Sequence, residues 1–249
     1  MSAKIVVNNV SKSFGSELGP LPVVNGVSFE VGDGEVVAIV GPSGCGKTTL
    51  MNIIAGFERP DSGSISIDGT LRRKPSKQGI LISQHGSVFP WLNVQQNLMF
   101  GLNGHAHGDK EGLADHYAAL VGLKGFETNY PHELSGGMLK RAELARALVV
   151  KPEILYMDEP FSALDALMNL RMRNELLRVL AEEQHTVLLI THDVEEAIHL
   201  ANRVLVLSPC PATIKASFAV PIPHPRRLSS AIVQDLRVAI LHQLGVYSD

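Results

Sequence analysis

The stretch GPSGCGKT, residues 41–48, decides how the rest of this sequence is interpreted, because it matches the pattern G-x-x-x-x-G-K-[ST]. It follows EVVAIVG (35–41), a short apolar run typical of a buried strand, and leads into GKTTLMNIIAG (46–56), a helical pattern that ends in glycine. Glycines let backbone N–H groups surround phosphate oxygens, while Lys47 offers a positive charge and Thr48 a hydroxyl for Mg²⁺. The stretch therefore predicts a phosphate-binding loop, here called the P-loop, rather than an incidental glycine turn.

The whole P-loop and the residue after it are candidate ligands of nucleotide phosphates. We expect the thiol of Cys45 to point away from the phosphates. The candidate phosphate-binding residues are Gly41, Pro42, Ser43, Gly44, Cys45, Gly46, Lys47, Thr48 and Thr49.

Length and composition favour a globular, core-forming protein and exclude several classes of function. The 249 residues are 45% hydrophobic and 19% charged, and the formal net charge of −3 gives no basic surface for nucleic acid. Two cysteines are too few for a disulfide framework. Neither a secretory signal nor an apolar run of about 18 residues is present. We therefore expect a soluble, cytoplasmic protein.

The order of the predicted strands and helices indicates the fold class. KIVVNNVSKSF (4–14) and VVNGVSFEV (23–31) alternate apolar and polar positions, with Asn25-Gly26 as a turn signal. Later apolar strands alternate with helices, such as the amphipathic helix at 166–183, and this order favours a mainly parallel sheet. We expect an α/β P-loop NTPase core with a mainly parallel sheet, an N-terminal antiparallel β subdomain and an inserted α-helical subdomain.

The domain boundaries follow from the same pattern. We expect a single nucleotide-binding domain over residues 1–249, with a surface loop at 101–112. Its predicted parts are a core at 1–85 and 151–225, a helical subdomain at about 86–150 and a C-terminal helix at about 228–246.

ILYMDE (154–159) is a second candidate for nucleotide chemistry, because an apolar strand delivers two carboxylates to its C-terminal end. Open α/β sheets bind their ligands at that edge. Asp158 fits a role in holding Mg²⁺ and its water, and Glu159 one in orienting or deprotonating an attacking water. This pair is weak evidence alone and strong evidence after a P-loop.

ELSGGMLKRAELARAL (133–148) is a helical pattern that starts with two glycines, each of which costs about 1 kcal/mol relative to Ala inside a helix. Ser135 is a good N-cap, and we expect an apolar stripe on one face, with Arg141 and Arg146 on a polar face. Glycine allows close approach to the backbone, and a helix N-terminus suits an anion. Gly136 and Gly137 therefore suggest a second phosphate contact.

Together these motifs resemble the ATP-binding cassette (ABC) family of transporter ATPases over essentially the whole chain. LSGGM (134–138) looks like the family's signature, which usually reads LSGGQ. The resemblance implies ATP and Mg²⁺ as cofactors and a head-to-tail homodimer. In that dimer, Ser135, Gly136 and Gly137 contact the γ-phosphate held by the partner's P-loop.

The resemblance also implies roles for residues that carry no signal alone. Phe14 matches the aromatic that stacks on adenine, although its other interpretation is an ordinary strand aromatic. Gln84 matches a glutamine that contacts Mg²⁺ and the attacking water. Asp165 matches the end of a loop that crosses the dimer interface. His192 matches a histidine that contacts the γ-phosphate. The implied catalytic residues are Glu159, His192 and Gln84, and the implied metal ligands are Thr48, Gln84 and Asp158.

Two residues depart from the family pattern. Met138 replaces the usual glutamine of the signature, and Lys140 stands where glutamine is commonest. Met lacks the hydrogen bonds of an amide, so some contact at the interface differs. The Ser-Gly-Gly core is intact, and we expect ATPase activity to survive.

LSGGM, DEPFSALD (158–165) and VFPWLNVQQN (88–97) look most like the nitrate, sulfonate and taurine group of bacterial importers. This implies a peripheral subunit on the cytoplasmic face of the inner membrane. It also implies a membrane permease that docks near His85–Leu102, a separate substrate-binding protein and no nucleic acid. Phe89 and its neighbours either form that docking face or belong to the helical core. The alternatives are a transporter of lipid or another hydrophobic substrate, and a non-transport ABC ATPase.

Overall fold

The computed structural model describes residues 3–17, 19–84, 86–102 and 109–246. His85 and residues 103–108, which are half of the predicted loop at 101–112, lie outside the described residues. In chain order the elements are β1 (Ala3–Ser16), β2 (Gly19–Gly32), β3 (Val36–Val40), α1 (Lys47–Ala55), β4 (Ser62–Ile67), β5 (Thr70–Leu71), β6 (Gly79–Ile82), α2 (Val94–Gly101), α3 (Lys110–Leu120), a 3-10 turn (Pro131–Glu133), α4 (Gly136–Leu148), β7 (Ile154–Asp158), α5 (Ala166–Glu182), β8 (Thr186–Ile190), α6 (Val194–Leu200), β9 (Arg203–Leu207), β10 (Ile214–Ala219) and α7 (Ala231–Gln243).

Two compact units divide the chain. The first unit is Met1–Gly79 with Thr186–Asp249, and the second unit is Ile80–His185. Among the described residues, no helix is both long and apolar enough to cross a membrane.

The first unit contains an antiparallel sheet in the order β2-β1-β4-β5. The expectation of a turn at Asn25-Gly26 is wrong: these two residues lie inside β2, where the pairing with β1 shifts register opposite Ser11. Gly26 has φ +61° and its N–H donates to Ser11 Oγ at 2.9 Å. An Asn-Gly pair suits a bulge as well as a hairpin turn, since both need a left-handed residue.

The first unit also holds four strands side by side in the order β10, β9, β3, β8. β3 is parallel to β8 and to β9, and β10 is antiparallel to β9. Every residue of β3 and β8 is buried, as expected for central parallel strands. The mainly parallel sheet and the N-terminal antiparallel sheet confirm the predicted fold class.

The C-terminal region packs on the first unit. α7 contacts α6 and β10, and its Val233 and Ile240 are completely buried. Ahead of it, the buried guanidinium of Arg226 donates to the carbonyls of Ile198 and Ala201, both at 2.6 Å, around the end of α6. Burial lowers the pKa of Arg226 to about 10, so the group stays charged and ties this end of the chain to α6.

In the second unit, α2, α3 and α4 pack on one another, and β6 and β7 are neighbours. Arg141 and Arg146, expected on a polar face of α4, are half-buried, whereas Lys140 and Glu143 turn inward. Arg141 Nη1 donates to the carbonyls of Val121 and Gly122 at 2.9 and 2.8 Å, at the end of α3. Lys140 and Glu143 are buried. From Ala142 to Leu148, every residue of α4 except Arg146 is buried.

Candidate active site

The P-loop contains glycines with backbone conformations that other residues rarely adopt. Gly44 has φ +73° and Gly46 has φ +107°. A Cβ at Gly46 would lie 2.8 Å from the carbonyl oxygen of Val23, so this position also has no room for a side chain. Gly46 caps α1 without a side-chain hydrogen bond, and the N–H groups of the first helical turn are directed at the loop. This is a backbone cradle that suits an anion.

The side chain of Lys47 folds back onto the P-loop and does not extend into solvent. Its Nζ donates to the carbonyls of Gly41 and Pro42, each at 2.9 Å, and the residue is 8% exposed. Cys45 is buried against Gly41, and burial raises the pKa of its thiol above the ordinary value. Thr48 is exposed in the first turn of α1. The loop therefore offers an ammonium, a hydroxyl and main-chain N–H groups on one side, with the thiol packed away.

His192 emerges at the same edge of the first unit as the P-loop. Ile190, the last residue of β8, pairs with Ile39 near the end of β3, and Thr191 N–H donates to Ile39 O at 3.2 Å. Both strands run in the same direction, so the residues that follow them share one edge. His192 is exposed there.

Phe14 lies in β1 of the first unit, opposite Leu21 of β2. Its side chain is 40% exposed, and Lys12 Nζ lies 5.2 Å from its ring centroid. The ring is therefore partly exposed near the end of the β1–β2 hairpin, with the Lys12 ammonium over it.

The second unit brings Gln84 and Glu159 together. Gln84 follows β6 and Glu159 follows the neighbouring β7, and Gln84 Nε2 donates to Glu159 Oε2 at 3.4 Å. Asp158, the last residue of β7, is 3% exposed. Glu159 adopts φ +50°, which is uncommon for a residue other than glycine. Its carbonyl accepts hydrogen bonds from the N–H and the hydroxyl of Ser162 at 3.3 and 3.0 Å, which fixes this backbone.

The glycines at the start of α4 have ordinary helical backbones. Ser135 caps the helix, with its Oγ accepting from Met138 N–H at 3.3 Å. A Cβ at Gly136 would meet nothing within 4 Å, whereas one at Gly137 would lie 3.3 Å from Leu164. The first glycine leaves open space, and the second allows close packing. That packing is against the loop that ends at Asp165, which caps α5 by accepting from Met168 N–H at 3.0 Å.

The predicted metal ligands fit Mg²⁺ by their chemistry. Thr48 offers a hydroxyl, Gln84 an amide oxygen and Asp158 a carboxylate, so the donor set is entirely oxygen. Mg²⁺ prefers oxygen ligands and is held by few protein groups together with substrate phosphates.

Sequence reasoning missed a polar cluster on α4. Lys140 donates to the carbonyl of Ser83, the residue before Gln84. Glu143 and Arg146 both bond to the hydroxyl of Ser87, three residues after Gln84. The spacing of Lys140 and Glu143, three positions apart on a helix, signals an ion pair. It gives no indication that the pair is buried.

Comparison with known proteins extends the likeness far beyond the P-loop. A model of the ABC transporter family matches residues 24–162. An ATP-binding protein of Brucella abortus biovar 1 is 42% identical, over 98% of this chain and 95% of its own length. The aliphatic sulfonates import ATP-binding protein SsuB of Bacillus cereus is 38% identical, over 96% of this chain and 95% of its own.

Solved structures share the fold. The dimeric structure of a bacterial ABC transporter cassette matches with a TM-score of 0.80 at 26% identity, covering 88% of this chain and 100% of that one. A dimeric post-hydrolysis state of the same cassette, bound to ADP and Pi, matches with a TM-score of 0.79.

Proposed function

The chain belongs to the ABC transporter family of ATP-binding proteins, and from this premise we propose that it powers the import of a small anion by hydrolysing ATP. The relative named for import of aliphatic sulfonates supports a sulfonate such as taurine as the substrate. Nitrate is proposed from the sequence resemblance alone. The observation that carries the catalytic assignment is the contact of Gln84 Nε2 with Glu159 Oε2 at 3.4 Å. It places an amide donor on a carboxylate at the end of two neighbouring strands.

In this proposal the P-loop holds the ATP phosphates. The N–H groups around Gly44 and Gly46 bind phosphate oxygens, and Lys47 exchanges its carbonyl partners for the β- and γ-phosphates. Thr49 and the remaining loop residues contribute through their backbone. His192, exposed at the same edge, contacts the γ-phosphate, and the Phe14 ring stacks on the adenine.

Glu159 accepts a proton from the attacking water, and Gln84 orients its carboxylate. The left-handed backbone of Glu159, fixed by Ser162, supports this role, because strained residues persist where the surroundings hold them for function. Thr48, Gln84 and Asp158 would hold Mg²⁺. When bound, that ion neutralises charge that develops on the phosphates.

We propose that two copies of the chain form a head-to-tail dimer around ATP. The open space at Gly136 supports approach of a partner's γ-phosphate to the start of α4. The dimeric state of the solved cassette supports the same arrangement. Hydrolysis then depends on closure of the dimer, because each site is completed by Ser135, Gly136 and Gly137 of the other copy. Asp165 lies on the adjoining loop.

A membrane permease is proposed to dock on the second unit, within the segment His85–Leu102. A cavity of about 220 Å³ there is lined by Phe89, Phe100 and Arg146, among others. Trp91 is 68% exposed beside it, with its ring centroid 5.3 Å from that of Phe89. Among the residues that the structure describes, Arg146 Nη1 is buried without a hydrogen-bond partner. An apolar floor with one unsatisfied donor suits a short helix that brings an acceptor at its end.

The remaining assignments follow from that assembly. The chain is proposed to be a peripheral subunit at the cytoplasmic face of the inner membrane, served by a separate substrate-binding protein. It is also proposed to be one nucleotide-binding domain, with a helical subdomain at about 86–150.

Glu159→Gln tests the catalytic assignment. We expect turnover of ATP to fall by about a hundredfold or more, since a general base contributes at least this much. ATP binding, measured by calorimetry, and ATP-dependent dimerisation, measured by size-exclusion chromatography, should be retained. Unchanged turnover would exclude Glu159 as the base.

Import is tested in cells. A strain without this chain should lose uptake of a radiolabelled alkanesulfonate, taurine or nitrate, and the wild-type chain should restore it while Glu159→Gln does not. Purification of the tagged chain from membranes should yield a multi-span permease. Normal uptake of all three anions in the deleted strain would contradict the proposed substrate class.

A further inference from the structure

The segment that carries Gln84 is held by α4 on both of its flanks. Lys140 Nζ donates to the carbonyl of Ser83 at 2.5 Å and to Glu143 Oε2 at 2.9 Å. Glu143 Oε1 accepts from Ser87 Oγ at 2.7 Å. Ser83 directly precedes Gln84, and Ser87 follows three residues later. We call the Lys140–Ser83 and Glu143–Ser87 hydrogen bonds, joined by the Lys140–Glu143 ion pair, the bracket.

The bracket is buried, which makes its geometry specific. Lys140 is 6% exposed and Glu143 is 2% exposed. Each oxygen of the Glu143 carboxylate has its own donor, and Ser87 Oγ also accepts from Arg146 Nη2 at 2.5 Å. Apolar residues of similar volume often stabilise a fold as well as a buried ion pair does. What they do not supply is a directed hydrogen bond to the carbonyl of Ser83.

We propose that Lys140 is a positioning residue for ATP hydrolysis, which holds the Gln84 segment in register with α4 through the bracket. The proposal rests on the assigned roles of Gln84 and Glu159. Lys140 touches neither of them and acts through the main chain of Ser83.

The consequence is a coupling between two motifs that are far apart in sequence. α4 begins at Gly136, the residue whose open backbone is proposed to meet the partner's γ-phosphate. Because the bracket ties the main chain beside Gln84 to this helix, a shift of α4 moves the Gln84 amide relative to Glu159. The Glu159 carboxylate is then oriented for catalysis only when α4 is in the position that forms the bracket.

The test uses variants that change Lys140 and Glu143 together, so that neither of them is left buried without the other's charge. Lys140→Met with Glu143→Leu removes both hydrogen bonds and keeps apolar volume. Lys140→Gln with Glu143→Gln keeps a side-chain donor for the carbonyl of Ser83 and leaves no buried carboxylate without a cation. The matched control is Arg178→Met with Glu175→Leu, an ion pair of the same spacing on the exposed face of α5, with atoms 3.0 Å apart. For each variant we would measure kcat and KM for ATP, the melting temperature and amide hydrogen exchange across residues 83–87.

In the double variant without the bracket, we expect kcat to fall about tenfold, which is about 1.4 kcal/mol, with KM within about twofold. Amide exchange in the Gln84 segment should rise about tenfold, while the melting temperature stays close to wild type. Lys140→Gln with Glu143→Gln and the control should behave like the wild type in all of these measurements.

Two results would overturn the proposal. One is wild-type kcat and wild-type exchange in the variant without the bracket. The other is a loss in Lys140→Gln with Glu143→Gln as large as in Lys140→Met with Glu143→Leu, because then the donor to Ser83 is not what matters. If the wild-type chain itself does not hydrolyse ATP, the proposed function fails, while the exchange comparison still decides whether Lys140 holds the segment.

Discussion

The P-loop and the start of α4 are both glycine-rich helix beginnings, yet their glycines serve different physical needs. In the P-loop, Gly44 and Gly46 have φ of +73° and +107°. At the start of α4, Gly136 and Gly137 have ordinary helical backbones. A Cβ at Gly46 would strike the Val23 carbonyl at 2.8 Å, whereas one at Gly136 would enter open space.

This difference distinguishes glycines that allow an unusual backbone conformation from a glycine that leaves open space beside a helix. The P-loop glycines serve the fold of their own chain, because Gly44 and Gly46 both have left-handed backbones and Gly46 also has no room for a side chain. Gly136 costs helix stability and gains nothing within its own chain. The open backbone at the start of α4 supports the proposal that a partner's phosphate approaches it.

Gly46→Ala is the change with the largest expected effect. The left-handed backbone and the clash with Val23 should together cost about 2 kcal/mol or more of unfolding free energy, and ATP binding should be lost. Urea denaturation and calorimetry measure these two quantities. Gly44→Ala is the control: its φ is also positive but its Cβ has space, so it should cost only about 1 kcal/mol. Equal costs would show that the clash is not the cause.

Gly136→Ala should reverse the direction of the stability change. Alanine in place of glycine at the start of α4 should raise the unfolding free energy by up to about 0.5 kcal/mol. Hydrolysis should fall by about tenfold, or about 1.4 kcal/mol in the barrier, because the added methyl group occupies the space reserved for the phosphate. ATP binding to the isolated subunit should not change. A more stable protein with full hydrolysis would remove the distinction between the two glycine segments.

The smallest expected effect is on ATP turnover after modification of the two thiols, and it tests how tightly the P-loop is packed. Burial raises the pKa of Cys45, so its thiol stays protonated at neutral pH and gains reactivity only as the pH rises. Cys210 is exposed. N-ethylmaleimide should therefore modify Cys210 alone in the native protein, as read by mass spectrometry, with little change in ATP turnover. Equal labelling of both thiols would indicate that the P-loop opens readily.

The sequence predicted the P-loop, the strand before it and the helix after it because all the signals are local. The glycines, Lys47 and Thr48 occupy a short stretch, and the predicted end of α1 at Gly56 is confirmed by its φ of +87°. The fold class followed from the alternation of strands and helices and is also confirmed. The assigned roles of Glu159 and His192 stay predictions.

The buried charges of α4 could not be predicted in the same way. Helical periodicity separates apolar from charged positions, and a charged position is normally assumed to meet water. Lys140 instead meets the carbonyl of Ser83, 57 residues earlier in the chain. A pattern within one helix carries no information about an acceptor on a distant segment. The Asn25-Gly26 prediction failed because a bulge and a turn use the same residues.

The bracket also has a consequence for how the sequence can vary among relatives. A chain that lost Lys140 and kept Glu143 would bury an unpaired carboxylate, and one that lost only Glu143 would bury an unpaired ammonium. Positions 140 and 143 should therefore change together in an alignment. Where glutamine occupies the first position, we expect an uncharged residue at the second. Such covariation would record, in the history of the family, a contact that a single sequence does not reveal.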